Sequence, residues 1–513
     1  MAINQRKSGA ILMYVQIFLS NTIALIYTPF ALRMLGQSQY GLFGTVNSFT
    51  AYLSLLSLGI GGAYIRWNAK YRAKNDVEGE QRLNGMFFTM FSIITVITLI
   101  IGFVLFLVSP YVFGGKFNNS ELYDLKLLII ISVLNTALTF FFTPVFSYIQ
   151  AYEKFLILRI VSIVSIIITP LVNIIILLLG GKAVAISLAT LIISAVDFLA
   201  YYIYARKRMN IKFVFKGFTF SAFKEIIVFS SFLFLNSITD LLTDSTDNTI
   251  LAIVSGTTAV AIYTVGHSFK NYFLQFSTAV SSVFAPQVNQ LVASTDDNME
   301  LTRLMTRIGR VQFYIVSLLL IGYTAIGDAF IGFWAGEDYT DAYLIGLFLL
   351  AGAYIPLFQN IGIEIQKAKN KHQVRSVVYL LVAIFNIALT IPFSMLWGGI
   401  GAAFATFLCC MGGNVLFMNI YYHRGIGLDM VYFWKKIVRI IPGFLPTIAV
   451  CVLLKLFVPI NNLWMLLFQA LIICAVYLVS VFFISFNEYE KNLFMGPIKK
   501  IGAKFKKAKV KES

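Results

Sequence analysis

The residues best suited to chemistry are three carboxylates inside an apolar segment. The run NSITDLLTDSTDNTI, which starts at residue 236, places Asp240, Asp244 and Asp247 on one face of a predicted helix. An ionisable group in a membrane span costs about 2.5–3.5 kcal/mol, so it usually lines a cavity or a substrate path. Such carboxylates can take up a proton or Na⁺ as the protein changes conformation, and we predict this coupling role for all three. Asp197 and Glu364, single acids in other apolar segments, are further candidates, with a structural role as the alternative.

A second polar stripe follows in the run GHSFKNYFLQ, where His267, Lys270 and Asn271 share one helix face. Counted inward at 1.5 Å per residue, Lys270 lies about 18 Å and Asp240 about 20 Å from the outer ends of their spans. The two therefore either form a buried ion pair or belong to a site for a substrate or a coupling ion. Three carboxylates and one lysine leave charge unpaired, which favours the site. His267 by itself is also typical of a hydrogen-bonded core residue.

These residues must be positioned by membrane-spanning helices. The chain has 513 residues, of which 59% are hydrophobic and 12% are charged, whereas soluble domains have about 45–50% apolar and 25% charged residues. Apolar runs long enough for a helix to cross about 30 Å of hydrocarbon recur along the chain. We predict an all-α polytopic membrane protein with about 14 spans. Their approximate bounds are 9–35, 42–65, 85–113, 123–150, 155–180, 183–205, 225–253, 258–292, 304–334, 340–366, 375–397, 400–423, 435–457 and 463–485.

Basic residues predict the orientation of the spans. Of the 40 Lys and Arg residues, 34 fall at the termini and in alternate connections, including Arg66, Arg310 and the segment 424–439. The positive-inside rule then places both termini in the cytoplasm. The basic tail, 487–513, either lies on an anionic leaflet of membrane lipids or is a solvated segment. Because the basic residues lie in short connections beside spans, we expect no nucleic-acid partner.

The same short connections argue against an enzyme. Outer connections such as 254–257 and 398–399 leave no room for a loop that carries a catalytic site. The chain also has no phosphate-binding GxxxxGK[ST] loop, no metal-ligand spacing and no nucleophile elbow. We therefore expect no catalysis and no cofactor or metal, with Na⁺ or H⁺ as the candidate coupling ion.

An internal repeat relates two halves of the chain. Four residues of one segment recur 220 positions later, Gly36 as Gly256, Ser48 as Ser268, Phe49 as Phe269 and Tyr52 as Tyr272. AISLAT, from residue 185, similarly resembles GAAFAT, from residue 401. The matched spans have the same rank in each half, which favours a repeat over chance similarity. We predict two six-helix lobes, 1–210 and 211–430, related by a pseudo-two-fold axis along the membrane normal, with two extra helices in 431–486.

Two segments carry a family resemblance. RMLGQSQYGLFGTVNSFTAYLSLLSLGIGGAYIRWNAKY, residues 33–71, and TDNTILAIVSGTTAVAIYTVGHSF, residues 246–269, resemble the polysaccharide transporter family of the multidrug/oligosaccharidyl-lipid/polysaccharide exporter superfamily. Ala261 stands where that family often has Gly. The resemblance implies a V of two lobes, a central cationic cavity and alternating access in a bacterial inner or plasma membrane. It implies as substrate an O-antigen or capsule oligosaccharide on undecaprenyl pyrophosphate, with a polymerase and a chain-length regulator as pathway partners. The matching residues are Leu35-Gly36, Tyr40-Gly41-Leu42-Phe43, Leu58-Gly59, Arg66, Asp247, Gly256 and Tyr263.

A pyrophosphate carries about two to three negative charges and needs cations inside the cavity. Arg33, Arg66 and Lys270 would provide them at three depths, although Arg33 also suits a snorkelling interfacial residue and Arg66 a positive-inside anchor. We predict a flippase that moves the lipid-linked repeat unit from the cytoplasmic to the outer leaflet, coupled to an ion gradient or potential. The alternative is another exporter of the same superfamily, for the peptidoglycan lipid precursor or for cationic drugs. Further substrate contacts are predicted at His267, Asn271 and Asn47.

Overall fold

The structure, a computed structural model, is mostly helical in the part of the chain that it describes. That part is 5–57, 60–217, 223–226, 230, 238, 241, 245–295, 297–371, 373–493 and 495. It contains no strand, which confirms the all-α prediction. Its helices are α1 (Gln5–Ser54), α2 (Ile60–Ala73), α3 (Val77–Phe113), α4 (Asn119–Ala151), α5 (Phe155–Leu178), α6 (Ala183–Arg208), α7 (245–254), α8 (Thr257–Ser294), α9 (Asn298–Trp334), α10 (Asp341–Phe358), α11 (Asn360–Ala368), α12 (Gln373–Cys409), α13 (Met418–Tyr421), α14 (Met430–Val438), α15 (Leu445–Phe457) and α16 (Leu463–Ile484). Two π-helices flank α13, at Cys410–Phe417 and Tyr422–Ile426.

The number of spans agrees with a polytopic membrane protein. Within the described residues, 10 segments are long and apolar enough to cross a membrane. Two of them, Val15–Ala73 and Gln373–Ile426, have 59 and 54 residues and each contains a pair of predicted spans. The ten segments thus hold twelve of the predicted spans. Of the other two, 258–292 coincides with α8, and 225–253 lies largely outside the described residues.

Glycines with positive φ separate consecutive spans at the positions of the repeat. Gly36 interrupts α1 with a φ of 71°, and Gly256 separates α7 from α8 with a φ of 85°. Gly180 precedes α6 with a φ of 82°, and Gly398 interrupts α12 with a φ of 55°. This region of backbone conformation is open to glycine and strained for other residues. The first pair is 220 residues apart and the second pair 218, so the turns recur with nearly the same period as the sequence, whose matches are 220 and 216 residues apart.

The structure differs from the predicted connection between the first two spans, 36–41. Only Gly36 leaves helical geometry, and the helix resumes directly after it. Two polar side chains of this segment are hydrogen-bonded to α4. Ser38 Oγ donates to Glu121 Oε1 at 2.6 Å, and Gln39 Nε2 donates to Asp124 Oδ2 at 2.7 Å. Because α4 supplies acceptors for their side chains, Ser38 and Gln39 can remain within helix α1.

The chain forms two compact units, 1–265 with 383–405, and 266–382 with 406–513. In unit 1, α4 packs against α1, α3 and α6. The core of this unit includes Tyr64, Phe87, Phe91 and Tyr148. In unit 2, α9 packs against α10, α14 and α16. The division into lobes 1–210 and 211–430 rests on the repeat and stays a prediction.

A buried ion pair fixes the C-terminal helices of unit 2. Arg310 of α9 is one of the basic residues from which the orientation of the spans is predicted. Its side chain is only 9% exposed, and its Nε lies 2.5 Å from Oε1 of Glu490, which is 3% exposed. Its guanidinium also donates to the carbonyl oxygens of Lys436 at 2.8 Å and Ser485 at 3.1 Å. Tyr314 OH donates to Glu490 Oε2 at 3.0 Å. The network joins α9, the end of α14 and the segment after α16, so Arg310 has a structural role.

Candidate functional site

Asp247 is the centre of a buried polar cluster in unit 1, which we call the Asp247 site. Its side chain lies on α7 and the residue is 2% exposed. Tyr263 OH of α8 donates to Oδ2 at 2.5 Å. Asn386 Nδ2 and Thr390 Oγ1 of α12 donate to Oδ1 at 3.1 and 3.2 Å. Asn386 and Thr390 are four residues apart, so α12 presents both from one face. Three helices therefore converge on one carboxylate.

The donor atoms of this site suit a hard cation or a proton. Besides the two carboxylate oxygens, the site contains the amide oxygen of Asn386, which lies 3.3 Å from Thr390 Oγ1, and the Tyr263 hydroxyl. Carboxylate, amide and hydroxyl oxygens are the ligands that hard cations take in proteins. A protonated carboxyl group would instead donate to one of the same oxygens. The arrangement can hold either species in place.

The second half of α1 contacts the helix that carries this site. Tyr52 OH donates to Thr246 Oγ1 at 3.1 Å, and Thr246 is buried beside Asp247 in the sequence. Tyr52 is one of the four residues that recur in the repeat. The segment after Gly36 is thereby connected to the Asp247 site through one hydrogen bond.

The other predicted ion-coupling acids have separate surroundings. Asp240 and Asp244 lie outside the described residues. Asp197 of α6 is half-buried, and Ser165 Oγ of α5 lies 2.7 and 2.6 Å from its two carboxylate oxygens. Glu364 of α11 forms an ion pair with Lys367 Nζ at 2.9 Å, three residues along the same helix. Of the predicted acids that lie within the described residues, Asp247 is the one that contacts side chains from two other helices.

The predicted cationic residues occupy three helices. Arg33 is exposed on α1, three residues before the Gly36 break, and belongs to unit 1. Arg66 is exposed on α2 in the same unit, and its guanidinium lies 5.5 Å from the ring centroid of Trp67. Lys270 is half-buried on α8 and belongs to unit 2. Their common role toward a phosphate stays a prediction.

The predicted neutral contacts are found on α8 and α1. His267 Nδ1 lies 3.3 Å from Asn271 Nδ2, and both residues are half-buried on one face of α8. Asn47 is exposed on α1, where its backbone oxygen accepts a hydrogen bond from Thr50 Oγ1 at 2.9 Å. These side chains are therefore placed for contact with a ligand or with neighbouring helices, and their role stays a prediction.

Sequence reasoning missed Glu121, which bridges the two turns of the first repeat pair. Its Oε1 accepts from Ser38 Oγ at 2.6 Å and from Thr257 Oγ1 at 2.9 Å, while Oε2 accepts from the backbone N–H of Asn118 at 2.9 Å. Thr257 follows Gly256 directly. A Cβ atom at Gly41 would collide with the backbone carbonyl of Thr257, so α1 and α8 approach closely at this point. The only local sequence signal was the capping box of α4.

Comparison with known proteins bears on the family and the fold of this chain. The model of the family described as polysaccharide biosynthesis protein matches residues 6–292, more than half of the chain. Among curated protein sequences, none gave a significant match.

Several solved structures are similar. One is described as lipid II flippase MurJ in an inward closed conformation; its TM-score is 0.73 at 16% identity, over 95% of this chain and 99% of that one. A multidrug resistance MATE family transporter of the MOP superfamily, in an inward-facing conformation, gives 0.55 at 12% identity, over 82% and 98% of the two chains. A variant of the Vibrio cholerae MATE transporter VcmN gives 0.52 at 13% identity, over 82% and 99%. These likenesses show a shared fold.

Proposed function

The chain belongs to the polysaccharide biosynthesis protein family, and we propose that it is a flippase for undecaprenyl-pyrophosphate-linked oligosaccharide repeat units. The observation that carries this proposal is the combination of that family with a multi-pass fold that matches a named lipid II flippase over 95% of the chain. The protein would act in a bacterial inner or plasma membrane with both termini in the cytoplasm, as the distribution of basic residues favours. A polymerase and a chain-length regulator would use the translocated unit.

The direct test is transport in proteoliposomes. A lipid-linked oligosaccharide is incorporated in both leaflets, and a membrane-impermeant glycosidase removes the sugar from the outer one. We expect the protected sugar of the inner leaflet to become accessible faster with the protein than in protein-free vesicles. Equal rates in the two preparations would contradict the proposed function.

Cationic side chains are proposed to hold the pyrophosphate during transport. We expect Arg33→Gln and Lys270→Gln each to reduce transport about ten- to a hundredfold, since a hydrogen bond to a charged group contributes about 1.5–3 kcal/mol. Lys455→Gln is a matched control, because Lys455 Nζ pairs with Asp328 at 3.0 Å on the exposed surface. Surface polysaccharide and protein level are measured in cells that depend on the variant. Normal polysaccharide with both Gln variants would contradict the cationic role.

Transport is proposed to be coupled to an ion at the Asp247 site. The support is a buried carboxylate that accepts hydrogen bonds from the Tyr263 and Thr390 hydroxyls and from Asn386 Nδ2. The Asn386 amide oxygen lies 3.3 Å from Thr390 Oγ1. Na⁺ or a proton would bind there as the protein changes between its inward- and outward-facing states. If the ion binds to this site more tightly in one state than in the other, its gradient is coupled to the movement of the substrate.

A flippase for the peptidoglycan lipid precursor is the second candidate. It is favoured by the likeness to the structure described as a lipid II flippase, whose TM-score of 0.73 exceeds the 0.55 of the multidrug transporter. Complementation separates the two candidates. If this chain restores growth to a strain that lacks its peptidoglycan precursor flippase, the precursor is a substrate. If it restores only surface polysaccharide in a strain that lacks the repeat-unit flippase, the first proposal holds.

A further inference from the structure

Unit 2 contains a cavity of about 880 Å³ between α14 and the preceding helical segment 419–424. This volume lies in the range of pockets that hold small ligands, about 300–1,000 Å³. We call it the basic pocket, because three of its lining residues are Arg424, Lys435 and Arg439. Part of its wall is apolar and is formed by Ile420, Val431 and Val438.

The pocket exists because α14 is amphipathic. Its buried face carries Met430, Phe433 and Ile437 and packs against α9. The other face turns Val431, Lys435 and Val438 outward, and Arg439 follows directly after the helix; all four are exposed. One helix face thus combines apolar and cationic side chains, and this face lines the cavity.

The floor of the pocket is held in place by hydrogen bonds. Trp434 Nε1 donates to Asn419 Oδ1 at 2.8 Å, which joins α14 to α13. Gln359 Nε2 donates to the same Asn419 oxygen at 3.0 Å, and Asn419 Nδ2 donates to the carbonyl oxygen of Val415 at 2.8 Å. These hydrogen bonds hold the indole in a defined position beside the basic residues. An amphipathic tryptophan is typical of the interface between membrane and water.

The three basic side chains have no ion-pair partner within the part of the chain that the structure describes. They lie between two apolar stretches of helix. Leu416 and Ile420 are exposed before them in the chain, and Ile441 and Leu445 are exposed after them. The positive charge of the pocket thus lies within residues 424–439, between two apolar helical segments, as an amphiphile with an anionic head and apolar chains requires.

We propose that the basic pocket binds the headgroup of an anionic phospholipid from the leaflet that surrounds it. Arg424, Lys435 and Arg439 would contact the phosphate and Trp434 the glycerol region. Val431, Val438 and Ile420 would contact the first part of the acyl chains. A free phosphate would contact the basic side chains but not the apolar wall. A zwitterionic lipid would contact the apolar wall and would be attracted less strongly by the basic side chains. The site goes beyond the proposed function, because this lipid is a bound partner and is not transported.

The test is lipid binding to the purified full-length chain in neutral micelles, with bound lipids counted by mass spectrometry of the intact protein. Phosphatidylglycerol is compared with phosphatidylcholine. Each basic residue near an anionic lipid contributes about fivefold in affinity, so R424Q/K435Q/R439Q together should weaken phosphatidylglycerol binding about a hundredfold. The matched control is K207Q/R208Q/K216Q, three exposed basic residues elsewhere in the chain, which should leave binding unchanged.

Three results would overturn the proposal. Equal affinity for the two lipids would remove the role of charge, and equal loss in the two triple variants would make the attraction non-specific. Displacement of the lipid by millimolar inorganic phosphate would show that the phosphate group alone accounts for the affinity. Thermal unfolding of both triple variants verifies that they are folded. None of these measurements involves transport, so their outcome is independent of the test of the flippase function.

Discussion

Asp247→Asn removes the charge at the proposed coupling site and almost preserves its shape. A unit charge about 4 Å from a cation contributes about 4 kcal/mol at an effective dielectric constant of about 20. Its loss should weaken Na⁺ affinity about a thousandfold. The hydrogen bond from Tyr263 can persist, because an amide oxygen also accepts. The new amide NH₂ replaces an acceptor that receives hydrogen bonds from Asn386 and Thr390, so we also expect a loss of about 1–3 kcal/mol in unfolding free energy.

Two measurements apply to this variant. The first is transport in proteoliposomes with an imposed Na⁺ or proton gradient and without one. The second is the thermal unfolding midpoint in NaCl compared with KCl at equal ionic strength, since a ligand at 100 times its Kd stabilises a protein by about 2.7 kcal/mol. Wild type should show gradient dependence in the first measurement, and Asp247→Asn should not. Asp328→Asn, in an exposed ion pair with Lys455, is the matched control and should behave as wild type.

One result would refute this reasoning. If Asp247→Asn transports at the wild-type rate with the same response to each gradient, the carboxylate does not carry the coupling ion. The hydrogen bonds of Asp247 would then have a structural role only, and the coupling would have to be sought at Asp240 or Asp244.

The close approach of α1 and α8 predicts that Gly41→Ala lowers the unfolding free energy by about 1–3 kcal/mol, because the new Cβ would collide with the carbonyl of Thr257. Gly115→Ala is the control. A Cβ at Gly115 has no atom within 4 Å, so this variant should leave the unfolding midpoint unchanged. The buried ion pair predicts that Arg310→Gln costs about 3–5 kcal/mol, because Glu490 stays buried without its charge partner. Adding Glu490→Gln to that variant should recover part of the loss, and an additive loss in the double variant would contradict the pairing. Thermal unfolding in micelles measures both effects.

The fold could be predicted from the sequence where the signal is local. A run of about 20 apolar residues is sufficient for a membrane span, and a glycine between two such runs marks the turn, as at Gly180 and Gly398. The sequence signal fails where contacts between residues that are far apart in the sequence decide the structure. Ser38 and Gln39 fall in the predicted connection 36–41, whereas in the structure they are helical and bonded to Glu121 and Asp124 on another helix.

For the Asp247 site too, the sequence indicates the central residue but not its partners, which are distant in sequence. Asp247 could be identified because a carboxylate in an apolar run is costly wherever it is placed. Asn386 and Thr390 are 139 and 143 residues away in sequence, and each is an ordinary polar residue on its own helix. Arg310 has a further role that its sequence context does not indicate. It has the sequence context of an orienting arginine, and only its contact with Glu490, 180 residues away, distinguishes it.

Arg310 and Asp247 show how the partners of a buried charge decide what it can do. Arg310 is held by a carboxylate, a tyrosine hydroxyl and backbone carbonyls. Removing or adding an ion there would leave one charge uncompensated, so that network suits a fixed joint between helices. The partners of Asp247 include two hydroxyls and an amide. A hydroxyl can turn from donating to accepting, and an amide offers both an oxygen and an NH₂ group. Such partners can satisfy the carboxylate when it is empty, protonated or bound to a cation, which is the property that an ion-coupling site needs in order to alternate between states.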